Sequence, residues 1–257
     1  MHGEQLALAV SGTYSSGKTT TTEALSIATG IPRSDALTAR EILVDLVPGK
    51  QFQQLNAGEL LALGLRRLEE RIHTEARASA SGPFVSDGSV LHEWVYGEAR
   101  MRLGLNPGAP LMHRAVKRIV GIPAKPFMRR YMDAYGTVTK ARAKRLYDVF
   151  VHLPLEFQMD ADGHRPVSEK YRTLCDRLLV ETLDELAIPY HVIGGTIRQR
   201  VSGIVDLLGL PLVMPVDEAI ELARRRIEAS KEMVAQKQIA NLVEPSVWRR
   251  IRYATRY

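Results

Sequence analysis

The chain has 257 residues, 45% hydrophobic and 25% charged, with one cysteine and a formal net charge of +6. These values suit one α/β domain with embellishments; the lone Cys175 excludes an internal disulfide and fits a reducing, cytoplasmic compartment. No apolar stretch approaches the roughly 20 residues that span a bilayer, and the start of the chain lacks the pattern of a secretory signal.

In chain order, Leu6–Ser11 reads as a first buried strand and Lys18–Thr29 as a helix, stopped by Gly30 with Pro32 beyond it. Ser34–Val47 is expected to be helical, and Asn56–Ala80 is a long helix whose leucines recur near helical spacing. Pro83–Ser86 is a short strand ending on Asp87, followed by a helix over Leu91–Leu103. Asn106–Lys125 is expected as loop, helix and loop, and Tyr147–Leu153 as a strand. Then come a helix over Pro166–Ala187, a strand over Tyr190–Ile193, a helix over Thr196–Leu208 and a charged helix over Val216–Asn241. Short apolar runs alternating with helices predict a mostly parallel sheet covered on both faces. There is no internal repeat.

The charge is uneven. Leu111–Arg145 holds ten Lys or Arg against the single acid Asp133, and Arg249, Arg250, Arg252 and Arg256 close the chain with no acid among its last nine residues. Such clusters suit a polyanionic partner, or a solvated surface.

Gly12-Thr13-Tyr14-Ser15-Ser16-Gly17-Lys18-Thr19 fits G-x-x-x-x-G-K-[ST], between a strand and a helix. Glycine permits the backbone angles and the close approach such a turn needs. The N–H groups over Ser15–Thr20 can then converge on phosphate oxygens, reinforced by the helix dipole. Lys18 brings a cation to the β- and γ-phosphates, and Thr19 offers a hydroxyl to Mg²⁺. ATP and Mg²⁺ are therefore the expected cofactors, held by Gly12, Tyr14, Ser15, Ser16, Gly17, Lys18, Thr19 and Thr20.

Such a site needs an acid at the carboxyl end of a neighbouring strand. Asp87, before Gly88-Ser89, is the candidate for holding metal and facing the acceptor. Arg165, Lys170 and Arg172 surround the turn signal Asp162-Gly163, which suits a lid that closes over transferring charge. Arg165 is assigned to catalysis, and Arg172 and Arg40 to the acceptor. The histidines show no metal-ligand spacing and are read as structural.

Taken together, the Gly12–Thr19 motif, Thr38-Ala39-Arg40-Glu41, Ser86-Asp87-Gly88-Ser89, Asp162-Gly163 with Arg165, and Tyr190–Gly195 resemble the P-loop nucleoside and nucleotide kinases. The likeness is nearest to AAA-type ATP-binding proteins related to the nicotinamide riboside kinase domain, and covers about residues 5 to 210. It implies a three-layer sandwich around a five-stranded parallel sheet of order 2-3-1-4-5, and ATP as phosphoryl donor. It also implies a lid around Asp160–Arg172 and an adenine-side loop near Gly194–Arg200. Leu37 departs from the group, where an acidic residue often stands three positions before the arginine matched by Arg40.

The expected organisation is a P-loop domain over residues 1–215, with a basic helical insertion at about 104–145, a lid at about 158–172 and a helical, basic extension over 216–257. The expected function is phosphoryl transfer from ATP to a small nucleoside-like metabolite, with a homodimer open and no membrane partner. The alternative is a regulatory P-loop ATPase or a nucleic-acid-binding module, in which Phe127, Tyr131 and Tyr135 interleave with Arg129 and Arg130 as a stacking surface. A guanine-reading protein is disfavoured, since Thr139-Lys140-Ala141-Arg142 has Arg where that motif needs Asp.

Overall fold

Strand β1 (Ala7–Ser11) is buried at every position, and the computed structural model places it at the centre of the sheet. Residues 6–34, 36–50, 54–103, 125–158 and 168–240 are described. β1 is flanked by β3 (Phe84–Asp87) and β4 (Val149–His152), with β2 (Arg33–Ser34) and β5 (Tyr190–Val192) at the edges. The order is β2-β3-β1-β4-β5 and every pairing is parallel, as the resemblance implied.

Alternate residues of a strand face opposite ways, so a central strand apolar at every position needs cover on both sides. Leu8, Val10, Val149 and Val151 pack on one side against Ala24, Leu25 and Ala28 of α1 (Lys18–Thr29) and Val201, Ile204 and Val205 of α7 (Ile197–Leu208). The same layer takes Ala219, Ile220 and Ala223 of α8 (Val216–Ala240). Ala9 and Phe150 face the other way, onto Leu68 of α3 (Ala57–Ala80), Leu91 and Val95 of α4 (Val90–Leu103), Met132 and Tyr135 of α5 (Lys125–Leu146), and Cys175 and Leu179 of α6 (Glu169–Leu186). A smaller cluster joins Ile42 and Leu43 of α2 (Ala39–Leu46) to Leu55 and Leu63.

Two expectations change. Ser34–Val47 is not one helix: Arg33 and Ser34 pair with Val85 and Ser86 as β2, and the buried Ser34 hydroxyl donates to Ser86 Oγ at 3.1 Å. The helix starts after Thr38, whose side chain accepts from Glu41 N while Glu41 returns a bond to Thr38 N. That reciprocal cap sets the boundary. Second, the basic helical insertion expected at about 104–145 is described only from Lys125 on, where α5 runs to Leu146. Pro126 stands in its first turn, and its apolar residues are sparse among basic ones, so hydrophobic periodicity is weak there. The Asn106–Lys125 expectation, apart from Lys125 itself, falls outside the described residues, as do Arg165 and the C-terminal arginines. Among the described residues no helix is long and apolar enough to cross a membrane.

The expected stacking surface on α5 is not laid out as its spacing suggested. Tyr135 is buried and donates to Gly64 O at 3.0 Å, and Tyr131 stacks on it at 5.7 Å. Phe127 is exposed.

Helices α4 and α5 approach closely through two glycines. A Cβ at Gly97 would meet Met132 Cε at 2.7 Å, and one at Gly136 would meet Trp94 Nε1 at 2.7 Å. Trp94 is held in place by its N–H bond to Met132 O at 3.1 Å and by Lys140 over its ring at 4.7 Å. Met132, by contrast, has a flexible end.

Helix α4 also anchors the turn after β1. His92 Nδ1 accepts from Ser89 N at 2.9 Å, which leaves the proton on Nε2, and that N–H donates to Gly12 O at 3.1 Å. Burial, with the cations Lys18 and Arg71 nearby, holds the His92 imidazole well below its ordinary value of 6.5.

Gly136→Ala should therefore destabilise by about 1–3 kcal/mol in urea unfolding, because a pinned indole cannot yield. Gly97→Ala should stay near neutral, since the methionine tip can move and alanine favours the helix. A second outcome concerns pH. The folded protein keeps His92 neutral while the unfolded chain accepts a proton near 6.5, so this contribution to stability is full above that value and is lost as pH falls below it. The thermal midpoint of His92→Gln should show a shallower decline on acidification than the parent.

Candidate functional site

The turn from β1 into α1 has backbone angles that only certain residues tolerate. Gly12 has φ 145°, Ser15 φ 54° and Gly17 φ 78°. A Cβ at Gly12 would lie 2.7 Å from Ser16 Oγ and 3.1 Å from Leu153 O, and one at Gly17 would lie 2.8 Å from the Phe157 ring. Glycine is demanded at both positions by the backbone angle and by space.

The first N–H groups of a helix have no partner within it. Here Gly17 caps α1 without any side-chain hydrogen bond, and no acid stands in the first turn. The amides that a serine or aspartate cap would satisfy are thus left for a ligand. The buried hydroxyls of Thr13 and Ser16 likewise lack a hydrogen-bond partner among the described residues.

The carbonyls of the same turn are taken up from outside it. Gly12 O accepts from His92, and Gly17 O accepts from Thr21 N at 2.9 Å and Thr21 Oγ1 at 3.0 Å. Ser15 O accepts from Arg172 Nη2 at 3.4 Å, and Ser16 O from Arg200 Nη1. Arg200 is fully buried, with Nη2 bonded to Glu156 at 2.8 Å and its guanidinium over the Phe157 ring at 4.5 Å. Arg172 is buried too, and donates to Phe157 O at 2.7 Å. The sequence expectation gave Arg172 a place at the acceptor; its guanidinium instead lies among carbonyls of the P-loop and of Phe157.

Lys18 and Asp87 meet at the mouth of the turn. β3 runs parallel to β1 with Val10 opposite Asp87, so both chains deliver their chemistry at the same edge of the sheet. Lys18 Nζ lies 2.7 Å from Asp87 Oδ1, with the side chains 16% and 20% exposed. Burial alone would raise the Asp87 carboxyl, but the Lys18 charge, hydrogen bonds from Lys18 and Thr19, and the Arg33 charge outweigh it and lower it to about 2. A hydroxyl and a carboxylate side by side are the hard oxygen donors that suit Mg²⁺. Thr19 and Asp87 therefore fit that ion, as the cradle fits a polyphosphate.

Behind Asp87 lies a charged interior absent from the sequence expectations. Arg71 of α3 donates to Asp87 O at 3.2 Å and Ser86 Oγ at 3.3 Å, and pairs with Glu93 at 3.3 Å and Glu75 at 3.6 Å. Burial disfavours the charge on Arg71, but Glu93 and Glu75 outweigh it and hold the guanidinium protonated more firmly than usual. Arg67 also pairs with Glu93, at 3.0 Å. One sign was available: Leu68, Arg71 and Glu75 share the buried stripe of α3, where apolar residues are the rule. Arg200 carries the same sign, on the buried stripe of α7 with Val201, Ile204 and Val205. Tyr14 leaves the turn to stack on Tyr96 at 4.6 Å and Tyr171 at 6.2 Å. Arg40 stands half-buried in the first turn of α2, and Thr20 in that of α1.

Comparison with known proteins agrees with this architecture. A family model described as an AAA domain matches residues 7–200. No curated protein sequence matches the chain. Among solved structures, deoxyadenosine kinase from M. mycoides with bound dATP is similar at a TM-score of 0.55 and 14% identity, covering 79% of this chain and 100% of that one. The same kinase with the products dCMP and a flexible dCDP gives 0.53 at 13% identity, and with bound dCTP 0.52 at 13%; each covers 79% of this chain and 99% of the other. With three quarters of its length matched to the family and a P-loop kinase-like fold around Gly12–Thr19, the chain belongs to this AAA domain family.

Proposed function

We propose that the chain is an ATP- and Mg²⁺-dependent phosphotransferase whose acceptor is a small nucleoside-like or related metabolite. The observation that carries this reading is the Lys18–Asp87 pair, 2.7 Å apart at the mouth of an uncapped helix N-terminus. A cation beside an anion cradle serves the donor phosphates, and an acid facing it serves the acceptor and the metal shell. The structural likeness to chains described as deoxyadenosine kinase supports a nucleoside-like acceptor.

In this reading the turn amides and Lys18 would hold the triphosphate, with Lys18 exchanging Asp87 for a phosphate oxygen. Thr19 and Asp87 would hold Mg²⁺, which when bound would supply neutralising charge to the phosphates. Against the raising effect of burial, Lys18 is the largest influence holding the Asp87 carboxyl down at about 2, and its exchange onto phosphate would relax that lowering. Asp87 would then orient the acceptor hydroxyl and the metal shell, or take the acceptor's proton. Catalysis of this kind rests on positioning and electrostatics. Arg165, from the sequence, completes the charge on the γ-phosphate in this reading.

With ATP and Mg²⁺, a panel of nucleosides, nucleotides and sugars should reveal at least one compound that drives ADP release; a panel with no acceptor-dependent turnover refutes the kinase reading. Lys18→Ala should lower that turnover by about 10²-fold or more, and near-normal rates would show that the cation is not used. Asp87→Asn should retain ATP in calorimetry yet lose transfer. Survival of both would move the role to another acid.

A further inference from the structure

We infer that Arg172 and Arg200, joined through Glu156 and Phe157, form a brace that holds the P-loop in its phosphate-binding shape, so that both arginines are positioning residues for the nucleotide. The inference rests on the reading of Gly12–Thr20 as a polyphosphate cradle. It concerns the outer side of that cradle, which no motif describes.

Three separate segments converge on the two-residue stretch Ser15–Ser16. Arg172 comes from the first turn of α6 and reaches Ser15 O; Arg200 comes from α7 and reaches Ser16 O. The link between them is the segment after β4. Phe157 O accepts from Arg172 at 2.7 Å, the Phe157 ring lies under Arg200 at 4.5 Å, and Glu156 accepts from Arg200 at 2.8 Å. Glu156 also accepts from Gly195 N at 2.6 Å, which ties in the loop ahead of α7. The same Phe157 ring abuts Gly17, where a Cβ would come within 2.8 Å of it.

The cost of this arrangement argues for a purpose beyond packing. A buried guanidinium must be compensated by partners, and apolar residues of similar volume often serve stability as well or better. Yet Arg200 is 0% and Arg172 3% exposed, and the Nε atom of each is buried without a partner among the described residues. What the two side chains do instead is take carbonyl oxygens out of the cradle. A carbonyl turned toward phosphate would repel it, whereas one tied to a guanidinium leaves its peptide N–H on the opposite side. Ser15 at φ 54° is the residue that holds the unfavourable backbone angle, and it is one of the two braced. The ion partner of Arg172 is the exposed Glu169 at 3.5 Å, a weakly neutralised pair, so positive charge remains close behind the loop.

The test is calorimetry on the full chain with two probes, Mg-ATP and inorganic tripolyphosphate, without acceptor. Arg200→Gln and Arg172→Gln should each weaken both probes by about tenfold or more, as expected for loss of a charge-assisted bond to the binding loop. Glu156→Gln changes an exposed side chain, so its fold should survive, and it should weaken both probes by at least about threefold. Unfolding followed in parallel checks that each variant is folded, and where an arginine variant does not fold, Glu156→Gln decides. Affinities within twofold of the parent overturn the brace. A loss confined to ATP, with tripolyphosphate unaffected, assigns the arginines to the base side and also overturns it. A parent that binds neither probe refutes the cradle itself, whereas a parent that binds ATP but transfers to nothing refutes only the kinase reading.

Discussion

A peptide loop that aims its amides at one point must send its carbonyls somewhere else, and every buried carbonyl needs a donor. This constraint organises the site. The carbonyls of Gly12, Ser15, Ser16 and Gly17 are met by His92, Arg172, Arg200 and Thr21, from four helices. Seen this way, the eight-residue motif is half of the device. The other half is a set of donors, three of them (His92, Arg172 and Arg200) far away in sequence, that take up the loop's carbonyls.

Charge follows the same logic on the opposite side of the sheet's edge. Asp87 is partly buried, which by itself would favour its neutral form. Lys18, Thr19 and Arg33 reverse that, and Arg71 grips the Asp87 backbone from behind while anchored to Glu93 and Glu75. The carboxylate is therefore fixed in position from one side and in ionisation state from the other.

The scaffold explains how these groups are held. β1 is central, and its alternation sends Leu8 and Val10 to one layer and Ala9 to the other. The α3–α6 layer carries Arg71, His92 and Arg172, and the α1–α7–α8 layer carries Lys18 and Arg200, so the site draws on both. Helix α8 buries Ala219, Ile220 and Ala223 against the second layer. Farther along, Arg226 reaches Glu23 of α1 at 3.1 Å, and its outer turns, including Met233, are exposed.

Local chemistry was legible in the sequence. The Gly12–Thr19 turn, the α1 boundaries at Lys18 and Thr29, and a strand ending at Asp87 follow from backbone freedom, capping and apolar runs, all properties of neighbouring residues. β2 was hidden because two residues make no pattern, and the bounds of α5 within the expected basic helical insertion because its apolar stripe is thin. Only the tertiary structure decided that Arg172 and Arg200 bond to carbonyls of the P-loop, that Arg71 backs Asp87, and that Tyr135 is core. Each depends on partners separated by 15 to 184 residues. A guanidinium looks the same in a sequence whether it meets solvent, substrate or a carbonyl, and only packing chooses among them.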